Sequence, residues 1–118
     1  MNIIIAGNGK VGSTLTRLLS AEDHDITLID TNAHVLEESQ EQYDVMSVSG
    51  NCASMNTLRQ AGVKEADLLI TATDADEINL LSCTTAHCLN PKLHTIARIR
   101  DPEYTEQIFR MRELFGLS

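Results

Sequence analysis

A glycine-rich hexapeptide, Gly7-Asn8-Gly9-Lys10-Val11-Gly12, stands directly after the apolar run Ile3-Ile4-Ile5-Ala6. Residues 13–21 behind it have the periodicity of an amphipathic helix, and residues 26–29 read as a second short strand. Asp30 closes that strand, eighteen residues after Gly12. Turn glycines before a helix are common, so the hexapeptide alone is weak evidence. A buried strand, a G-x-G-x-x-G turn, a helix and a second strand ending in an acid, in this order and spacing, leave few folds open.

Each part of the pattern has a physical task. Gly7 permits a tight turn out of the first strand, Gly9 lets a pyrophosphate approach the backbone, and Gly12 lets the helix pack closely on the sheet. The helix N-terminus directs free N–H groups and the positive end of its dipole at the phosphates. Asp30 stands where a carboxylate accepts hydrogen bonds from a ribose diol; capping the following helix is its alternative role. A carboxylate there repels a 2′-phosphate, and Thr31 and Asn32 supply no Arg to hold one. The pattern therefore favours NAD(H) over NADP(H).

Strand-like and helix-like stretches continue to alternate. Residues 33–42 read as a polar helix, 45–48 as a third strand, and 54–61 as a helix with Ser54 as N-cap and Gly62 as its stop. Residues 67–72 form an almost continuously apolar fourth strand, the kind that is buried on both faces of a parallel sheet. A helix with acids in its first turn is expected from Thr73 to about Leu89, ended by Asn90-Pro91. A fifth strand follows over residues 93–99. The last helix opens with Asp101 as N-cap and Pro102 at its first position, runs to about Leu114 and ends at Gly116. Regular alternation of this kind predicts an α/β fold, a Rossmann-like doubly wound parallel sheet in three α/β/α layers with strand order 3-2-1-4-5.

Composition narrows the functional classes. The chain has 118 residues, 42% apolar, and a formal net charge of −8. One domain is expected, and the absence of a sixth strand reads as a fragment of a longer protein. No apolar run approaches the ~18 residues of a membrane helix, and no basic stretch precedes the first strand as in a secretory signal. A cytoplasmic chain is expected. Nucleic acid is an unsuitable partner for so acidic a surface. Cys52, Cys83 and Cys88 are odd in number and form no C-x-x-C pair, so free thiols are expected, with Cys83 and Cys88 in helix packing. His24, His34, His87 and His94 are scattered without metal-ligand spacing.

Four stretches together resemble one family: residues 3–12, Leu28-Ile29-Asp30, Ala72-Thr73-Asp74-Ala75-Asp76-Glu77-Ile78-Asn79, and Ala97-Arg98-Ile99-Arg100-Asp101-Pro102-Glu103-Tyr104. The chain resembles the N-terminal nucleotide-binding domain of the TrkA-like regulators of bacterial and archaeal potassium uptake, the KTN or RCK domains. The resemblance implies a regulatory subunit without enzymatic activity. It lies on the inner face of the cell membrane and docks on a membrane potassium transporter of Trk or Ktr type, as a homodimer or higher ring. It implies NAD(H) as ligand, with ATP and ADP as further candidates, and gating through ligand-dependent changes in assembly. It places the ligand on Gly7, Asn8, Gly9, Lys10, Val11 and Gly12 of the loop, on Asp30, on Asn51 and Cys52 near the adenine, and on Thr73, Asp74 and Arg98. Many members carry Asp at the position of Asn51 and Arg at that of Lys10.

Other roles compete for these residues. Lys10 reads as a phosphate contact or a solvated first-turn residue, and Asp74 or Asp76 as a cap of the fourth helix. Arg98, expected inside the fifth strand, reads as a ligand contact or as an internal partner of Asp74 or Glu77. Arg110 and Arg112 read as a solvated or interface face, and Met111, Leu114 and Phe115 as a dimer seam or ordinary core. Two further classes of function stand beside the regulatory one. One is the cofactor half of an NAD-dependent dehydrogenase, against which no general acid–base constellation is visible. The other is a redox-sensing repressor, which needs a basic domain elsewhere.

Overall fold

Strands Asn2–Ala6 (β1), Asp25–Asp30 (β2), Met46–Ser49 (β3), Leu68–Thr71 (β4) and His94–Ala97 (β5) lie parallel in one sheet, in the order β3-β2-β1-β4-β5. The computed structural model describes residues 1–114. The expected end of the last helix at Gly116, and Phe115 as a seam residue, lie outside the described residues. Ile5 of the central strand pairs with Leu28 on one side and Ile70 on the other, and Ala6 with Ile29 and Thr71. The connections are the helices Lys10–Ser20 (α1), Ala33–Gln42 (α2), Met55–Gln60 (α3), Asp76–Leu89 (α4) and Pro102–Met111 (α5), with a 3-10 turn at Val63–Glu65.

The pleat of β1 divides the core. Ile3 and Ile5 join Ile26, Leu28, Leu36 and Ile70 under Leu15 and Leu19 of α1. Ile4 and Ala6 join Ile29, Leu58, Leu69, Cys83 and Ala86 on the face covered by α3 and α4. Successive residues of a strand point to opposite faces, so a strand covered on both sides must be apolar throughout. At roughly 1.5–3 kcal/mol for each fully buried aliphatic side chain, the buried residues of β1 and its two neighbours contribute substantially to stability.

Two glycines fix how α1 meets the sheet. Gly7 has φ +95°, and a Cβ there would lie 2.8 Å from the backbone of Ala72 and Thr73. A Cβ on Gly12 would overlap the carbonyl oxygen of Gly7. The helix consequently begins at Lys10, inside the motif, and not at residue 13 as periodicity suggested.

Other boundaries also shift. Residues 73–75 stay outside the helix and α4 starts at Asp76, where Asn79 Oδ1 accepts from the Thr73 N–H and hydroxyl and holds Thr73 out of the helix. Neither Asp74 nor Asp76 caps α4: the N-cap position is Ala75. Ser54 occupies the N-cap position of α3, but its side chain makes no capping bond. Strand β5 ends at Ala97, so Arg98 follows the strand instead of lying within it. Gly62 does stop α3, with φ +82°, and Asp101 does cap α5 by accepting from the Glu103 N–H. Helix α5 has no buried residue; Leu114 is 73% exposed and Met111 half-buried. Cys83 is buried as expected, whereas Cys88 is exposed.

Gly12→Ala should destabilise the chain by about 2 kcal/mol, within the range for overpacked sites. Gly9→Ala should change stability by less than about 1 kcal/mol, the scale of an N-cap exchange, since a Cβ at Gly9 meets nothing within 4 Å. Urea unfolding midpoints compare them, and equal midpoints would remove the close approach of Gly7 and Gly12 from the account.

Candidate functional site

The exits of β1, β2 and β4 converge on the glycine loop. Gly7 N–H donates to the Ile29 carbonyl at 2.8 Å, which ties the loop to β2. Gly9 is the N-cap of α1, no side chain caps the helix, and its first turn contains no acid. The first N–H groups of a helix have no intrahelical acceptor. Here they end at a loop where the missing Cβ of Gly9 leaves open space. Lys10 is the exposed first residue of the same helix.

Asp30 is anchored on both carboxylate oxygens. Oδ2 accepts from the Asn8 N–H at 2.8 Å, and Oδ1 from the Asn32 N–H at 2.9 Å. A carboxylate offers about four acceptor positions, so two bonds leave capacity for a ligand. Capping of α2 falls to Asn32, whose Oδ1 accepts from the His34 and Val35 N–H groups. Asp30 is thus free of the capping role that the sequence left open.

Asn8 is 97% buried by its 3% exposure, and its Nδ2 donates to Ser39 Oγ on α2 at 2.5 Å. Its Oδ1 is buried with no partner in the described residues. Ser39 was not singled out from sequence. Its signal was a polar residue on the buried stripe of α2 beside Leu36.

Across the β1–β4 crevice, Thr73 follows β4 and Arg98 follows β5. Arg98 N–H donates to the Thr71 carbonyl at 2.9 Å. Its guanidinium lies 3.8 Å from Asp74 Oδ1, with the Arg side chain 28% and the Asp side chain 98% exposed. So exposed a pair is worth about 0–1 kcal/mol. Glu77, the other candidate partner, instead accepts from the Tyr104 hydroxyl at 2.9 Å, and that carboxylate pushes the Tyr104 phenol up from its ordinary pKa. Asp76 accepts from the backbone N–H groups of Arg100 and Asp101, each at 2.9 Å. These two bonds hold its carboxyl below the usual carboxylate range.

The β2–β3 side is closed by Asn51 and Cys52. Asn51 Oδ1 accepts from the Ala53 N–H at 3.0 Å. Cys52 is buried and its sulfur accepts from Ser82 Oγ at 3.1 Å. Burial pushes the Cys52 thiol up, and that of Cys83 to about 11. Both are neutral, unreactive thiols at neutral pH.

Eleven of the twelve residues expected from sequence line one cleft of about 800 Å³: Gly7, Asn8, Gly9, Lys10, Val11, Asp30, Asn51, Cys52, Thr73, Asp74 and Arg98. Gly12 lies behind the loop against Gly7. Arg100, which sequence reasoning did not single out, adds a third basic side chain to the lining. A second cavity of about 440 Å³ opens at the amino-terminal edge of the sheet, lined by His24, Asp25, Asp44 and Glu65. Ligands of open α/β sheets bind at the carboxyl ends of the strands, which selects the first cleft. No cluster of three or more His, Cys, Asp or Glu side chains suited to a metal occurs among the described residues.

The TrkA-N domain profile matches residues 3–114. This chain belongs to the TrkA-N domain family. A Trk system potassium uptake protein TrkA of Vibrio alginolyticus is 43% identical to the TrkA-N chain over 104 residues, which cover 88% of this chain and 23% of that protein. The chain therefore spans less than a quarter of that relative's length. Among solved structures, the Kef CTD of Shewanella denitrificans in its AMP-bound form is 32% identical, with a TM-score of 0.82 over 95% of this chain and 67% of that one. The GsuK channel bound to NAD is 25% identical, with a TM-score of 0.81 over 98% of this chain and 20% of that one. None of these three carries the name of an enzyme.

Because alkylation needs the thiolate, iodoacetamide at pH 8 should modify exposed Cys88 in the native TrkA-N chain and leave Cys52 and Cys83 unmodified until unfolding. Peptide mass mapping reads the difference, and rapid native modification of Cys52 would contradict its burial.

Proposed function

We propose that this chain is the nucleotide-sensing module of a cytoplasmic regulatory subunit of a Trk- or Ktr-type potassium transport system. NAD(H) is its ligand, and ATP and ADP compete for the same cleft. The subunit docks as a homodimer or ring on the inner side of a membrane transporter and gates potassium uptake through ligand-dependent changes in assembly. The observation that carries this reading is the cleft over residues 7–11, where an uncapped helix N-terminus and an anchored carboxylate face one space. The names of its relatives supply the transport context.

The residues fit a dinucleotide. The open space at Gly9 and the free N–H groups of α1 receive the pyrophosphate, with Lys10 beside it. Asp30 accepts from the adenosine ribose, while Asn51 and Cys52 border the adenine. Thr73, Asp74 and Arg98 border the second mononucleotide. Gly7, Asn8, Val11 and Gly12 shape the loop between them. The module acts by binding and carries out no reaction. A ligand biases one of two assembly states by no more than its difference in affinity for them. Among the described residues, no helix is long and apolar enough to cross a membrane.

Calorimetric titration with NAD⁺, NADH, ATP and ADP, with particle mass measured by light scattering in each state, tests this reading. Tight binding of one of them with a change in assembly is expected. Failure of all four to bind would reduce the glycine loop to a structural element. Asp30→Ala should weaken NAD⁺ binding by about tenfold to a hundredfold, the range for hydrogen bonds to a charged group. The same change should weaken NADP⁺ less, because the repulsion of its 2′-phosphate disappears. Equal losses for both would contradict the ribose assignment. Gly9→Val should retain the fold by circular dichroism and lose NAD⁺ binding.

A further inference from the structure

The half of the cleft on the β4–β5 side is held together by a residue that does not line it. Asn79, on the first turns of α4, is fully buried. Its side-chain amide has four hydrogen-bonding positions, and all four are used. Oδ1 accepts from the Thr73 N–H at 2.9 Å and from the Thr73 hydroxyl at 2.6 Å. Nδ2 donates to the Thr73 carbonyl at 3.0 Å and to the Arg98 carbonyl at 2.8 Å. Its backbone carbonyl accepts from Thr71 Oγ1 at 3.0 Å, so the end of β4 is bound as well.

We propose that Asn79 is a positioning residue that makes the cleft select a dinucleotide over an adenosine mononucleotide. The inference rests on the nucleotide-binding reading above. Thr73 and Arg98 leave neighbouring strands, and one amide fixes the backbone of both. The guanidinium of Arg98 therefore starts from a fixed point on the rim, although its own ion pair with exposed Asp74 is too weak to place it. The side-chain hydrogen bonds of Asn79 all end on Thr73 and Arg98. None reaches Asp30, Asn51 or Val35, which line the adenosine side. A dinucleotide lies across the crevice at the switch point of strand order, whereas a mononucleotide occupies one half. Loss of the Asn79 amide thus disturbs only the half that AMP does not use.

The test is calorimetric titration of the 118-residue chain with NAD⁺ and with AMP, in the unaltered protein, in Asn79→Ala and in Asn79→Asp. The Asp variant keeps the acceptors for Thr73 and removes the donors to the two carbonyls. The expected result is an NAD⁺ affinity lowered about tenfold or more, the scale of one to two lost buried hydrogen bonds, with AMP affinity changed less than about twofold. Unfolding temperature in the presence of AMP shows which variants are folded. Equal losses for NAD⁺ and AMP would make Asn79 a support of the whole fold and overturn the proposal, as would no loss for either. Failure of both variants to fold, even with AMP, would likewise assign it to folding and overturn the positioning role. Equal affinity of the unaltered chain for NAD⁺ and AMP would overturn the selectivity while leaving the nucleotide reading intact. Binding of neither by the unaltered chain would defeat the nucleotide reading itself.

Discussion

The carbonyl oxygen of Gly7 occupies the place that any side chain on residue 12 would need. This contact sets the distance between the end of β1 and the first turn of α1, and most of the site follows from it. With the helix drawn in so closely, its N-terminus opens at the crevice between β1 and β4, where strand order reverses. The Asn8 N–H then faces Asp30, and the loop is bound to the exits of β2 and β4 by short bonds and close packing. Interiors packed at crystal-like density transmit such constraints with little slack, so the position of the loop is inherited from the apolar core beneath it.

For the anionic ligand proposed above, a chain of net charge −8 must arrange its positive potential locally. Backbone N–H groups at the start of α1 do this without adding charge, and a helix end contributes typically 0.3–1 kcal/mol toward an anion, up to about 2 when partly buried. Lys10, Arg98 and Arg100 lie along the same cleft. The charge of Asp30 is partly offset by its two backbone donors. The acidic residues that outnumber the basic ones serve other ends, such as Asp76 and Glu77, which accept from the backbone and from Tyr104.

How much was legible in the sequence depended on the range of the interaction. Apolar runs and turn residues are local, and they gave the strand order, the αL glycine after α3 and the Asp101 cap correctly. The glycine loop, Asp30 and the residues after β3 and β4 were also legible, since spacing and resemblance place them at the same strand ends. Interactions that depend on the register between distant elements were not. Asn79 reads as one more polar residue of a helix, yet it reaches Arg98 nineteen positions away. Asn8 meets Ser39 thirty-one positions along. The acids of residues 74–77 look like a helical first turn, but Asn79 holds Thr73 outside the helix and α4 starts at Asp76. Arg98 looked buried because its neighbours are apolar, but the strand ends one residue earlier and the side chain turns to the rim.

Asp76 and Glu77 have a mechanical meaning beyond the site. Through the N–H groups of Arg100 and Asp101 and the hydroxyl of Tyr104, they bolt the root of α5 to the start of α4, beside the Thr73 turn. The rest of α5 buries no residue. A rod bonded at its root and only half-buried beyond it, at Ile108 and Met111, is a pointer. Ten helical residues extend about 15 Å, so a tilt of about 10° at the bolt swings the far tip by roughly 2.6 Å. By this geometry a small adjustment in the turn after β4 would reach that tip as a displacement of atomic size.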